Sequence, residues 1–339
     1  MASAASRVVE PNKFKRDGKI LVGKDDWLFL DNDTNMVVKQ HTGDLLFSPA
    51  ELRQWQVVLE NRTAWVERLG GGYFFLIPPN PHTVYAEKMP DDLPLSPVRP
   101  VTQLLDRLSS SGSFARMLYP LDVMLEEKKS FGLYAPVDSH WNGRGAFVGY
   151  KRLIDDVEQR FPVRRVTDEE VGFVDKDMEG DLGHKADPPR TGRRTYAHVL
   201  RRSARLVADN CVEHTGRILV TECSEAPATN CVVCGDSFTY AMLPFLAESF
   251  RRVVFAQLAT VDHGLVRSER AEVVITVVNE RFLIEPPQDE GSYSATEWAA
   301  DKIAKGENSM PDFGPIWGQD APLVEVPAAL AQAGGAAPT

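Results

Sequence analysis

Cys231-Val232-Val233-Cys234-Gly235-Asp236-Ser237-Phe238 is the stretch on which the fold turns. A short apolar run without polar alternation, ended by Gly-Asp-Ser, reads as a strand buried on both faces that breaks into a tight turn before a helix. The signature recurs at Tyr73–Ile77, bounded by Gly70-Gly71-Gly72 and Pro78, and at Arg217–Val220, Arg252–Phe255 and Glu272–Val278. Helical candidates at 143–160, 240–250 and 262–270 separate several of these runs. In the first, Ala146, Tyr150, Leu153, Ile154 and Val157 mark the buried face. Strands alternating with helices predict an α/β domain of three layers (αβα) around a mainly parallel central sheet.

Working outward, Lys19–Gly23 and Trp27–Leu30 flank the turn residues Lys24-Asp25-Asp26 and predict a hairpin. Ser48-Pro49-Ala50-Glu51 is a helix start, with a capping serine, a first-turn proline and a glutamate three residues on. Leu52, Trp55, Val58, Leu59, Val66 and Leu69 follow with helical period, so 49–69 should be an amphipathic helix stopped by the glycines. Residues 1–18 read as a flexible polar segment and 304–339 as a flexible tail rich in Pro, Gly and Ala. That leaves 19–303 as one domain, with the charged, Gly- and Pro-interrupted stretch 162–215 as an insertion over or beside the site.

A net charge of −10 argues against a nucleic-acid partner. Arg190, Arg193, Arg194, Arg201, Arg202 and Arg205 are read as a solvated loop and helix face rather than an anion site. No apolar run reaches bilayer length, and the first residues contain no signal-peptide core, so the chain as written is expected in the cytoplasm, with no membrane span. Cys231 and Cys234 have redox-motif spacing, but on a strand their thiols point to opposite faces, which favours buried structural cysteines. No histidine or carboxylate cluster has metal-ligand spacing, and no glycine-rich nucleotide loop is present. Neither a metal nor a bound cofactor is expected.

Ser237 falls on a strand-to-helix turn, at the edge of an α/β sheet where sites lie. The following helix would offer N–H groups and a positive dipole end to an oxyanion, and Gly235 would permit the close backbone approach. A plain helix cap explains the same tripeptide. Asp138-Ser139-His140-Trp141 adds a carboxylate and an imidazole two residues apart. On an extended segment these face one side, so Asp138 could fix the tautomer of His140 while Trp141 walls the pocket. Ser237 as nucleophile, His140 as general base and Asp138 as its orienting carboxylate would form a hydrolase or acyltransferase site.

Together these motifs resemble the SGNH-hydrolase-like O-acetyltransferases of the alginate O-acetylation type, in which Asp-x-His-Trp precedes the serine turn, the reverse of the usual SGNH order. Val22–Leu30, Ile77-Pro78-Pro79-Asn80, Val84–Pro90, Gly180-Asp181-Leu182 and Val278-Asn279-Glu280-Arg281 also match, in order, over roughly 19–285. The resemblance implies an SGNH-like fold with permuted motif order, a triad at Ser237, His140 and Asp138, and acetyl transfer to a sugar hydroxyl through an acyl-serine. An acyl donor enters as co-substrate, from a donor protein or a small molecule. The Phe238 N–H and the Asn80 side chain are assigned to the oxyanion. Two departures stand out. Pro81 follows Asn80 where the family often has a basic residue, and the alginate enzymes are exported. The acceptor is therefore left as a carbohydrate or glycosylated small molecule, with an esterase of the same fold and a non-catalytic carbohydrate-binding protein as alternatives.

Overall fold

The computed structural model describes residues 20–32, 35–109, 111 and 117–306; the segment 1–18 and the tail beyond 306 lie outside the described residues. Eleven strands are seen among the described residues: β1 Ile20–Val22, β2 Leu28–Leu30, β3 Gly72–Leu76, β4 Met117–Leu118, β5 Val171–Met178, β6 Gly192–Val199, β7 Ala204–Asp209, β8 Ile218–Cys223, β9 Asn230–Gly235, β10 Arg252–Gln257 and β11 Val273–Val277. Seven of them form one sheet in the order β4-β3-β11-β9-β10-β8-β7. The first five run parallel, and β8 pairs antiparallel with both β10 and β7.

Alternate residues of the central strands enter two separate apolar layers. Tyr73, Phe75, Val232, Cys234, Val254 and Val274 face one layer, while Phe74, Leu76, Cys231, Val233, Val253 and Ile275 face the other. This period-2 alternation buries both faces, which is why these runs show no polar alternation, and a polar residue inside them, Thr276, is hydrogen-bonded to the Tyr73 hydroxyl at 2.6 Å. Cys231 and Cys234 are free thiols on opposite faces, and burial pushes the Cys234 thiol up to about 12. They are packing groups with no thiolate to offer.

Helices cover both faces. Pro49–Arg68 starts with the predicted capping box: Ser48 Oγ accepts from the Glu51 N–H and Glu51 Oε2 from the Ser48 N–H. It buries Trp55, Leu59 and Val66; Leu69 lies past its end and is half exposed. On the other face, Gly143–Val157 is capped by Asn142 Oδ1 and buries the five apolar residues expected of it. The helix anticipated over 240–250 divides into a 3-10 turn, Ser237–Ala241, and an α-helix, Leu243–Ser249. Pro244, lacking an N–H, suits the first turn of a new helix better than the interior of a continuous one. Among the described residues no helix is long and apolar enough to cross a membrane.

Within 162–215, β5 and β6 form a two-stranded hairpin of their own, whereas β7 is the edge strand of the central sheet. β1 and β2 make the predicted N-terminal hairpin, tied down by His82 Nε2 on the Leu30 carbonyl oxygen at 2.8 Å. His82 and its neighbour His41, ring centroids 6.2 Å apart, are held down to about 3 and about 4, chiefly by burial. An unfolded histidine takes up its proton near pH 6.5, whereas these refuse it until far lower pH. Their contribution to stability is therefore complete above about pH 6.5 and is lost as pH falls through the interval towards those folded values. Urea unfolding should show stability at pH 5 below that at pH 7 by up to about 1.4 kcal/mol per histidine per pH unit. His82→Gln should flatten that slope, and an unchanged slope would show that His82 does not carry it.

Candidate active site

Ser237 stands where β9 ends, and the parallel strands β10 and β11 finish at the same edge. Gly235–Ser237, Gln257–Thr260 and Phe282 with Ile284–Pro287 line a cleft of about 640 Å³, together with His140 and Asp181. The carboxyl edge of a parallel sheet is where an open α/β fold leaves such room. A Cβ on Gly235 would come within 2.3 Å of Thr239 Oγ1 and 2.9 Å of the Val277 carbonyl oxygen, so the turn closes only around glycine. Asp236 then fastens it. Its Oδ1 accepts from the Phe238 N–H at 2.9 Å and its Oδ2 from the Asn279 N–H at 2.6 Å. Burial pushes the Asp236 carboxyl above the usual range, against the lowering effect of those two donors.

His140 arrives on a loop between Tyr134 and Trp141, which pair in an isolated bridge. The intervening residues turn and bend, contrary to the extended segment anticipated. Asp138 and His140 share a side because Asp138 Oδ1 accepts both the His140 backbone N–H at 2.8 Å and Nδ1 at 3.0 Å, a local side-chain turn. With Nδ1–H given to the carboxylate, Nε2 is left to accept from the Ser237 hydroxyl, 2.8 Å away. The structure thus brings Asp138, His140 and Ser237 into one hydrogen-bonded chain. Burial raises the Asp138 carboxyl, but the His140 hydrogen bond and the Arg194 charge outweigh it and hold it well below the ordinary carboxylate range.

The remaining anticipated residues are placed differently. The Phe238 N–H is occupied by Asp236, so it does not face the cleft as a free oxyanion donor. Trp141 does not wall the pocket: it is fully buried, its Nε1–H donates to the Phe238 carbonyl oxygen at 2.9 Å, its Cβ lies against Gly145 and its ring against Gly149. Its bulk fixes the His140 loop from behind. Asn80 is buried before the short helix Pro81–Val84 and does not line the cleft; its N–H donates to Glu280 Oε2 at 2.9 Å.

Two site residues escaped the sequence reading of roles. Asp181 accepts from the Ser139 N–H at 2.6 Å and the Ser139 hydroxyl at 2.5 Å, and its Oδ2 lies 3.9 Å from His140 Nδ1. Its turn is clipped on by the Leu182 and Gly183 N–H groups, both donating to the Val137 carbonyl oxygen. Gly180, at φ +64°, brings its own backbone against that same oxygen. Arg194 on β6 donates from Nη1 to Asp138 Oδ2, so it is no solvated arginine. The usable signal was strand alternation: neighbours on a strand face opposite sides, and Arg193 is indeed the exposed one of the two. Asp138, His140 and Asp181 converge within 4.8 Å, close enough for a metal-ligand set. Their facing atoms are, however, already engaged by one another, by Arg194 and by Ser139.

A serine and histidine held together at this edge of a mainly parallel sheet have the layout of a hydrolase-like α/β domain. The chain belongs to the family described as "SGNH hydrolase-like domain, acetyltransferase AlgX", which matches residues 20–262. The motif resemblance found in the sequence therefore holds. No curated protein matches the chain in sequence. Similar solved structures include PatB1 of Bacillus cereus with a sulfonyl adduct, at 15% identity over 78% of this chain and 94% of that one, TM-score 0.57. A DHHW family protein from Eubacterium siraeum aligns at 12% identity over 81% and 95%, TM-score 0.55. The O-acetyltransferase domain of Pseudomonas putida AlgJ aligns at 16% over 83% and 98%, TM-score 0.49.

Proposed function

We propose that this protein is a serine-dependent O-acetyltransferase that moves an acetyl group onto a hydroxyl of a carbohydrate or glycosylated small molecule. The observation that carries this reading is the 2.8 Å contact of Ser237 Oγ with His140 Nε2, in a member of an acetyltransferase family. His140 takes the hydroxyl proton as Ser237 Oγ attacks the acyl carbonyl carbon. The bond to the donor's leaving group then breaks, and the imidazolium returns the proton to it. An acceptor hydroxyl, deprotonated by the same imidazole, attacks the acyl-serine; the carbon–Oγ bond breaks and the imidazolium returns the proton to Ser237 Oγ. Asp138 stabilises the imidazolium of both half-reactions. With the Phe238 N–H held by Asp236, the oxyanion is assigned instead to the backbone N–H of Ser237 itself, at the start of the turn. The acyl donor is a co-substrate, either a small activated ester or a donor protein, and no bound cofactor enters the steps.

The test is a fluorophosphonate probe read by intact mass and peptide mapping, followed by transfer from an aryl acetate to a panel of oligosaccharides. An adduct on Ser237 and acetylated sugar are expected. A folded protein that gives neither adduct nor transfer would overturn the reading. An adduct with hydrolysis alone would move it to esterase.

A further inference from the structure

Arg194 reaches the site from outside the sheet, on the hairpin formed by β5 and β6. Its side chain is largely covered, its Nη1 donates to Asp138 Oδ2, and its Nη2 donates to the Trp141 carbonyl oxygen at 3.4 Å. The guanidinium also stands over the Tyr196 ring, 5.6 Å from its centroid. The hairpin is pressed onto the Asp138 loop and the helix behind it: a Cβ on Gly192 would touch Val137, and one on Gly143 would lie 2.3 Å from the Ala197 nitrogen. Arg194 is therefore seated by close glycine contacts on both sides of Asp138.

We propose that Arg194 is a positioning residue, which holds the second oxygen of Asp138 so that the first stays on His140 Nδ1, and which offsets part of the negative charge facing the imidazole. This rests on the acyl-serine reading above. A carboxylate held by one oxygen can still rotate about its terminal bond, whereas one held at both ends cannot. The charges facing His140 come from several elements. Asp138 lies at 3.0 Å and Asp181 at 3.9 Å, and Asp236 acts from the serine turn. Against these stand Arg194 behind Asp138, and Arg281, which lies over the Phe238 ring that packs on His140. Three carboxylates thus oppose two guanidinium groups. Removing one guanidinium favours the imidazolium, which cannot act as a base.

The experiment measures the rate of fluorophosphonate labelling of Ser237 from about pH 5 to pH 9, across the titration range of histidine. Wild type, Arg194→Met and Arg194→Lys are compared, with Arg193→Met as a control for the exposed neighbour. Arg194→Met should label about tenfold to a hundredfold more slowly, because the base is no longer held in register. The midpoint of its acid limb should rise by about one pH unit, from the lost charge. Arg194→Lys should restore much of the midpoint and less of the rate, since a lysine returns the charge without the planar fork. Rates are divided by the folded fraction read by circular dichroism at each pH, so that partial misfolding of Arg194→Met does not mimic the shift. An Arg194→Met rate and midpoint equal to wild type would overturn this proposal alone. A wild-type protein that never labels at Ser237 would remove the acyl-serine reading, and the role of Arg194 with it.

Discussion

Ser237→Ala should abolish acyl transfer while leaving the fold untouched. The Ser237 hydroxyl is hydrogen-bonded to His140 in the cleft, and the turn around it is held by Asp236 and by the tight closure at Gly235. Removing one oxygen atom therefore takes away the proposed nucleophile and little of the packing. Turnover of an aryl acetate in the presence of acceptor should fall by about four orders of magnitude or more, and the fluorophosphonate adduct should disappear. His140→Ala should lose about as much as Ser237→Ala, and the double variant little more than either, because groups acting as one unit do not add. Asp138→Asn should also fall steeply, since an amide can leave His140 in the wrong tautomer and gives Arg194 no carboxylate to meet. Circular dichroism and urea unfolding of Ser237→Ala should match wild type. Undiminished turnover in a folded Ser237→Ala protein would falsify the acyl-serine mechanism and turn attention to the binding-protein alternative, for which this substitution is silent.

The legible parts of this molecule were those whose signal is local. A run such as Tyr73–Ile77 has no polar position because both its faces are covered, and that can be read without knowing what covers them. The cap at Ser48 and the buried stripe of Gly143–Val157 are local in the same sense. Ser237, His140 and Asp138 could be nominated because each lies in a short motif, although their meeting depends on a hydrogen bond between residues far apart in the chain. The reason given for Asp138 and His140 facing together was strand alternation, and the structure supplies a different one, a turn closed by the aspartate itself. What stayed hidden was set by packing between distant segments. Phe238 loses its N–H to Asp236, Trp141 turns inward beneath its own motif, and Arg194 crosses from a separate hairpin to a carboxylate 56 positions earlier in the chain. A charge cluster read as surface can hold one largely covered member when strand alternation divides it.

Glu280→Ala should be severely damaging without touching the serine, histidine or Asp138, acting first on stability and then on the site. Glu280 is buried and ion-paired with Arg99, itself buried. It also accepts from the Asn80 N–H at 2.9 Å, from the Thr83 hydroxyl at 3.0 Å and from Tyr119 OH at 3.1 Å. Burial, with the Glu280 charge beside it, keeps the Tyr119 phenol well above its usual value, so that the phenol remains a donor. Alanine at this position leaves the Arg99 guanidinium in a buried site without its carboxylate and strands three further donors. Breaking a buried pair from one side costs about 3–5 kcal/mol. Glu280→Gln keeps the shape and one acceptor and should cost less. The damage reaches the site through the adjacent residue. The Asn279 N–H holds Asp236 Oδ2, and its side-chain amide and the Glu280 N–H both donate to the Pro78 carbonyl oxygen. Loosening Glu280 therefore loosens the clamp on the residue before Ser237. Urea midpoints of Glu280→Ala and Glu280→Gln, read beside Ser237 labelling rates in the folded fraction, test both halves. A Glu280→Ala protein within about 1 kcal/mol of wild type would show that the buried charges contribute little. Normal labelling in a destabilised but folded variant would separate stability from the geometry of the serine turn.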